Sequence, residues 1–147
     1  MFLCRFLAGC AFLALGSTST FAVTGWGDDY EKALAQAKAE KKMVLLDFTG
    51  SDWCGWCIKL DKEVFSETEF KSYAKDNLVL VAVDFPQRHK LPKEKQEQND
   101  ALQAQYGVRG YPTIIVLNPE GKPVGKLGYQ PGGPKAFIAK LDELKGK

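Results

Sequence analysis

Apolar and polar residues follow one another along this chain with a period that changes from block to block, and the changes mark its elements. Tyr30, Ala33, Leu34 and Ala37 fall at i, i+3, i+4 and i+7, one face of a helix that Gly27-Asp28-Asp29 opens and Glu40-Lys41-Lys42 ends. Met43 to Phe48 is then almost wholly apolar, broken only by Asp47, which suits a short strand buried on both faces. Thr49 to Trp53 reads as a loop. Helical spacing returns from about Cys54 to Phe65, with Cys57, Leu60 and Val64 on one inward face, and a second helical stretch covers Glu67 to Lys75. Leu78 to Val83 is the next buried strand.

Phe85 to Lys95 is polar and carries Pro86 and Pro92, so it reads as a loop, followed by a helix from about Gln96 to Tyr106 that Gly107 ends. Thr113 to Leu117 is rich in strand formers. Asn118-Pro119-Glu120-Gly121 has the residues of a type I turn, which sends the chain back into a strand at Val124 to Leu127. Gly133-Pro134 then starts a helix with Phe137, Ile138, Leu141 and Leu144 inward. After the first helix the order is β-α-β-α-β-β-α. Helical crossovers predict that the first three of these strands pair in parallel, and the closing hairpin adds an antiparallel strand at one edge. The fold class expected is α/β, a mixed central sheet flanked by helices in three layers.

The N-terminus has a different character. Arg5 precedes an apolar run, Phe6 to Leu15, and Gly16 to Ala22 supplies small residues, the pattern of a secretory signal peptide over residues 1–22 with cleavage after Ala22. Leu7-Ala8-Gly9-Cys10 also resembles a bacterial lipobox, but the apolar run continues past Cys10, which weighs against a lipid anchor there. Cleavage leaves one domain, residues 23–147, with two cysteines spaced C-x-x-C, in a periplasmic or secreted setting where disulfides persist. With 45% hydrophobic and 26% charged residues the chain can bury one core, and a net charge of +2, evenly mixed, gives no reason to expect a nucleic acid partner.

The chemistry lies in Asp52-Trp53-Cys54-Gly55-Trp56-Cys57, between a buried strand and a helix start. Cys54 stands where unpaired N–H groups and the helix dipole favour thiolate over thiol, while Cys57 lies one turn deeper. Cys54 is therefore expected to attack substrate and Cys57 to resolve the mixed disulfide. Zinc needs about four ligands, and beyond the two cysteines only His89 offers a soft one, so no metal site is expected. A purely structural bridge over so short a loop would constrain little chain entropy. Redox chemistry is the better reading. It needs no added cofactor, because both electrons reside on the Cys54–Cys57 sulfurs.

Leu45-Leu46-Asp47-Phe48, Trp53-Cys54-Gly55-Trp56-Cys57 and Gly110-Tyr111-Pro112-Thr113 together resemble the thioredoxin superfamily. The resemblance is nearest to exported bacterial thioredoxin-like proteins related to the reducing domains of thiol:disulfide interchange proteins. It covers the whole domain and implies a thioredoxin-like three-layer sandwich. It also implies a cis Pro112 facing the cysteines, with Tyr111 and Pro112 flanking a groove for an extended peptide, and Trp53 packed beside the site. Gly55 and Trp56 belong to the same groove, Trp56 either as an apolar contact for substrate or packed on its helix. Asp47, an acid in an apolar strand, is expected to have a raised pKa, and the resemblance places it beneath Cys57 as general base. Two departures from thioredoxin stand out: one extra residue between Asp47 and Cys54, and no lysine in Leu78–Val83 to partner the acid.

The function expected is thiol-disulfide oxidoreduction by a monomer acting on protein thiols and disulfides. Gly55-Trp56 lacks the histidine that strongly oxidising members of the superfamily carry between their cysteines, which tilts the direction toward reduction or electron relay. A membrane thiol-disulfide interchange protein is the electron donor that the resemblance implies. An oxidising disulfide donor and a client-binding module with an inert disulfide stay open as alternatives, and a peroxide-reducing thiol enzyme ranks behind both. Arg88, His89, Lys90, Lys93 and Lys95 in the 86–95 loop are expected to be a solvated run rather than a recognition site for an acidic partner.

Overall fold

A computed structural model describes residues 25–147. The expected signal peptide, residues 1–22, and Cys10 of the lipobox-like tetrapeptide lie outside them. The elements run β1 (Trp26–Gly27), α1 (Tyr30–Glu40), β2 (Met43–Thr49), α2 (Gly55–Leu60), a π-helical segment (Asp61–Phe65), α3 (Thr68–Asn77), β3 (Leu78–Asp84), α4 (Lys93–Gln105), β4 (Thr113–Leu117), β5 (Pro123–Leu127) and α5 (Gly133–Leu144). Local chemistry accounts for the ends. Asp29 caps α1, its side chain accepting from the Lys32 N–H at 3.0 Å, and Pro134 sits in the first turn of α5 where its missing N–H costs nothing.

The five strands form one sheet in the order β1-β3-β2-β4-β5. β2 pairs in parallel with β3 over its full length, Met43 opposite Leu78 and Thr49 opposite Asp84. The third long strand departs from expectation. β4 is antiparallel to β2, with Asp47 opposite Ile114 and Phe48 opposite Thr113. The path of α4 is the reason. Asn99 donates to the Asp84 carbonyl at 2.9 Å, and Lys95 and Gln98 reach the Asp28 carbonyl at the start of α1. Those contacts tie α4 to the end of the sheet where β3 stops, and the chain re-enters from the end it left.

Two apolar cores cover the two faces. One joins α1 and α4 to Val44, Leu46, Phe48, Val79, Val81 and Val83. The other joins α3, α5 and the π-helical segment to Leu45, Leu80, Ile114 and Val116. In the second, Phe65 meets Phe70 at 4.9 Å and Phe137 at 5.5 Å between ring centroids, and Phe70 and Phe137 are fully buried. Truncating such a ring leaves a cavity that its neighbours cannot close. Phe137→Ala is therefore expected to cost about 3–5 kcal/mol in urea unfolding, while truncation of exposed Lys135 shifts the midpoint little.

Candidate functional site: a disulfide at a helix start

Three pieces of chain meet at one end of the sheet. β2 and β3 end there, and β4 begins there. The turn after β2 carries the cysteines. Cys54 and Cys57 form a disulfide with Cα atoms 5.2 Å apart. Cys54 is the N-cap of α2, and its Sγ accepts from the Cys57 N–H at 3.3 Å, so an orphan helix donor already points at the sulfur. Both cysteines are buried, as are Leu60 and Val64 on the same inward face. Of the helix predicted from about Cys54 to Phe65, only Gly55–Leu60 is α-helical, with Cys54 as its cap. The remainder, Asp61–Phe65, is wound as π-helix, for which hydrophobic spacing gives no signal.

Asp47 stands behind the pair. It shares a cleft of about 340 Å³ with Cys57, Thr49, Ser51, Ile58, Asp61, Ala82 and Trp26. Its Oδ1 is buried without a hydrogen-bond partner among the described residues. Burial foremost, then the charges of Asp61 and Asp84, pushes its pKa up to about 7. Ala82 lies opposite Asp47 on β3, where no cation offsets that shift. Asp61 was missed in the sequence although it stands four residues after Cys57, the spacing of one helical face, and its N–H bonds the Cys57 carbonyl.

Trp53 is 40% exposed, its indole N–H donating to the Phe85 carbonyl at 2.8 Å and its ring edge-on to Tyr111 at 5.9 Å. A Cβ at Gly50 would lie 2.4 Å from that indole, which explains glycine there. The Tyr111–Pro112 peptide is cis. Tyr111 also packs on Phe85 at 5.3 Å, and its hydroxyl donates to Gln103 at 2.9 Å. Gly55 opens α2 and is exposed.

Trp56 both packs and stays open. It is 57% exposed, yet its ring lies 5.0 Å from Tyr129, and the Lys59 ammonium sits 5.1 Å from both ring centroids. Tyr129 donates to Glu63 at 2.7 Å, which holds the platform from below. Tyr129 had no signal in the sequence, since it stands in a loop far from the cysteines. With Ile58, half exposed, these side chains leave an apolar surface around the disulfide.

A buried helix-capping disulfide, an acid behind it and a cis proline turn beside it now stand together. A family model described as a thioredoxin-like domain matches residues 30–145. The chain belongs to the thioredoxin-like family. Over 114 residues it is 41% identical to the disulfide bond reductase DsbH of Chlamydia pneumoniae, spanning 78% of this chain and 69% of that one. Identity to the thiol:disulfide interchange protein DsbD of Pseudoalteromonas atlantica is 31% over 97 residues, which are 66% of this chain but only 15% of that protein. A solved structure of a DsbH oxidoreductase superposes with a TM-score of 0.75 at 35% identity, covering 89% of this chain and 94% of the other. Within the thioredoxin-like family this chain is a thiol-disulfide oxidoreductase with Cys54–Cys57 as its redox pair.

Proposed function

We propose that the protein reduces disulfides of other proteins outside the cytosol and is itself recharged by a membrane thiol-disulfide interchange protein. The observation that carries this reading is Cys54 at the helix cap, its sulfur facing a backbone N–H, with Cys57 and Asp47 behind it in one cleft. The name of the Chlamydia pneumoniae relative, a disulfide bond reductase, supports the direction. So does Gly55-Trp56, which provides no cationic donor to the Cys54 thiolate from between the cysteines. The signal-peptide pattern of residues 1–22 supports the compartment, and among the described residues no helix is long and apolar enough to cross a membrane.

In the forward reaction the Cys54 thiolate attacks one sulfur of a client disulfide. A Cys54–client bond forms, the client S–S bond breaks, and the other client sulfur leaves as a thiolate. Asp47 takes the proton of Cys57, whose thiolate then attacks the Cys54 sulfur. The Cys54–Cys57 bond forms, the Cys54–client bond breaks and the second client sulfur leaves as a thiolate, so the client gains two electrons and the protein loses two. A dithiol on the membrane donor reverses the oxidation through the same mixed-disulfide chemistry. Tyr111 and Pro112, with Trp53 and Trp56 on either side of α2's start, provide the groove in which an extended client segment lies.

The equilibrium reduction potential tests the direction. A value near about −270 mV, that of thioredoxin, is expected; a value near about −120 mV would make the protein a disulfide donor instead. The gap is large, because about 30 mV corresponds to about 1.4 kcal/mol for a two-electron couple.

A further inference from the structure

The basic run after β3 takes no part in the redox chemistry, and the structure divides it. Lys93 pairs with Glu97 at 3.6 Å and Lys95 with Asp28 at 3.3 Å, so both are engaged within the fold. Arg88, His89 and Lys90 are exposed on the loop between β3 and α4. That loop is stapled to the redox turn. The N–H groups of Gln87 and Arg88 donate to the two carboxylate oxygens of Asp52 at 2.9 and 2.8 Å, and His89 Nδ1 lies 3.4 Å from the same group. The indole of Trp53 holds the Phe85 carbonyl from the other side. Asp52 and Trp53 are the two residues that precede Cys54, so the loop, solvated as expected, is fixed beside the disulfide.

Asp52 accepts from the amides of Gln87 and Arg88, which, with the charges of His89 and Arg88, hold its carboxyl below the usual range, so it stays an anion that offsets part of the loop's positive charge. Neither Arg88 nor Lys90 has a carboxylate within ion-pair distance among the described residues. A third exposed cation, Arg109, stands two residues before Tyr111; it has no carboxylate within ion-pair distance among the described residues, although Asp100 lines the same surface cleft. Tyr111 in turn packs on Phe85 and Trp53. Two loops thus bring three exposed cations, none of them in a close ion pair among the described residues, to the side of the site where Trp53 is exposed.

We propose that Arg88, Lys90 and Arg109 form a cationic rim that favours client segments carrying acidic residues next to their disulfide. The inference rests on the reductase reading and names its substrate class. An exposed rim of one sign raises the encounter rate of an oppositely charged segment, and salt removes the gain.

The test uses the reduced protein and three synthetic peptides, each with one internal disulfide and flanked by glutamates, glutamines or lysines. Rates are followed in stopped flow through the change in tryptophan fluorescence. At an ionic strength of about 0.01 M, where the Debye length is about 30 Å, the glutamate peptide is expected to react about tenfold faster than the lysine peptide. The preference should fade toward unity at about 1 M, and a variant carrying Arg88→Glu and Lys90→Glu should reverse the order. Equal rates at low salt overturn the inference, as does an order that survives either high salt or the charge reversal; the salt series on the parent chain decides the matter even if the variant fails to fold. Reduction of none of the three peptides removes the reductase reading itself, and the rim with it.

Discussion

An Asp47→Asn variant in the oxidised state is expected to gain on the parent chain in stability as pH rises from about 4 to about 8. The sign follows from where the proton is held. Asp47 ionises near 3.8 in the unfolded chain but only near 7 in the folded one, because burial and the charges of Asp61 and Asp84 oppose the anion. Below pH 4 both states carry the proton and the group is neutral to stability. Between the two values the unfolded chain alone releases it, so the parent loses stability as pH rises; above 7 the full penalty stands. A gap of about three pH units corresponds to about 4 kcal/mol, the expected change in the stability difference across a urea-unfolding series in pH. The amide of Asn lacks partners too, but that cost is the same at every pH and leaves the slope as the readout. A difference that stays flat with pH would return Asp47 to an ordinary carboxylate and remove it as the proton acceptor for Cys57. If the base role holds, resolution of the mixed disulfide slows by about 100-fold or more in the same variant.

The two cysteines should fail in opposite ways. Cys57→Ala leaves the Cys54 thiolate at the helix cap with nothing to resolve its adducts, so covalent complexes with client proteins accumulate through Cys54. Cys54→Ala leaves Cys57, buried and one turn deeper, and should form almost none. Turnover is lost in both. The readout is a non-reducing gel after mixing with an oxidised protein substrate, with adducts released by dithiol. Client association without adducts in the Cys57→Ala variant would favour the binding-module reading over the enzyme.

Much of this could be seen in residue order. The apolar runs of β2, β3 and β4 fell within a residue of their observed ends, and the Cys57-Leu60-Val64 face is buried as its spacing required. What escaped depends on tertiary contacts. β1 is two residues long and exists through pairing with Leu80 and Val81, too short for any periodicity. The direction of β4 was misread because a helix between strands usually returns the chain along the sheet, whereas Asn99, Lys95 and Gln98 tie α4 to the end where β3 stops. The fixed loop over the redox turn escaped for a similar reason. Asp52 reads as a surface acid until the Gln87 and Arg88 amides are found on it. At the site, Cys54, Cys57 and Asp47 could be named because their residue types are costly or unusual where they stand, while Asp61 and Tyr129 are ordinary residues that matter only by position.

The polarity of the sheet has a practical side. β4 starts at the disulfide end and finishes at the far one, where Asn118 donates to the carbonyl of Lys147 at 3.3 Å. Lys147 therefore lies at the pole opposite Cys54. A chain fixed to a bead, an electrode or a fusion partner through Lys147 presents its sulfurs outward, so an immobilised film of this protein should keep the same access to large substrates that it has in solution.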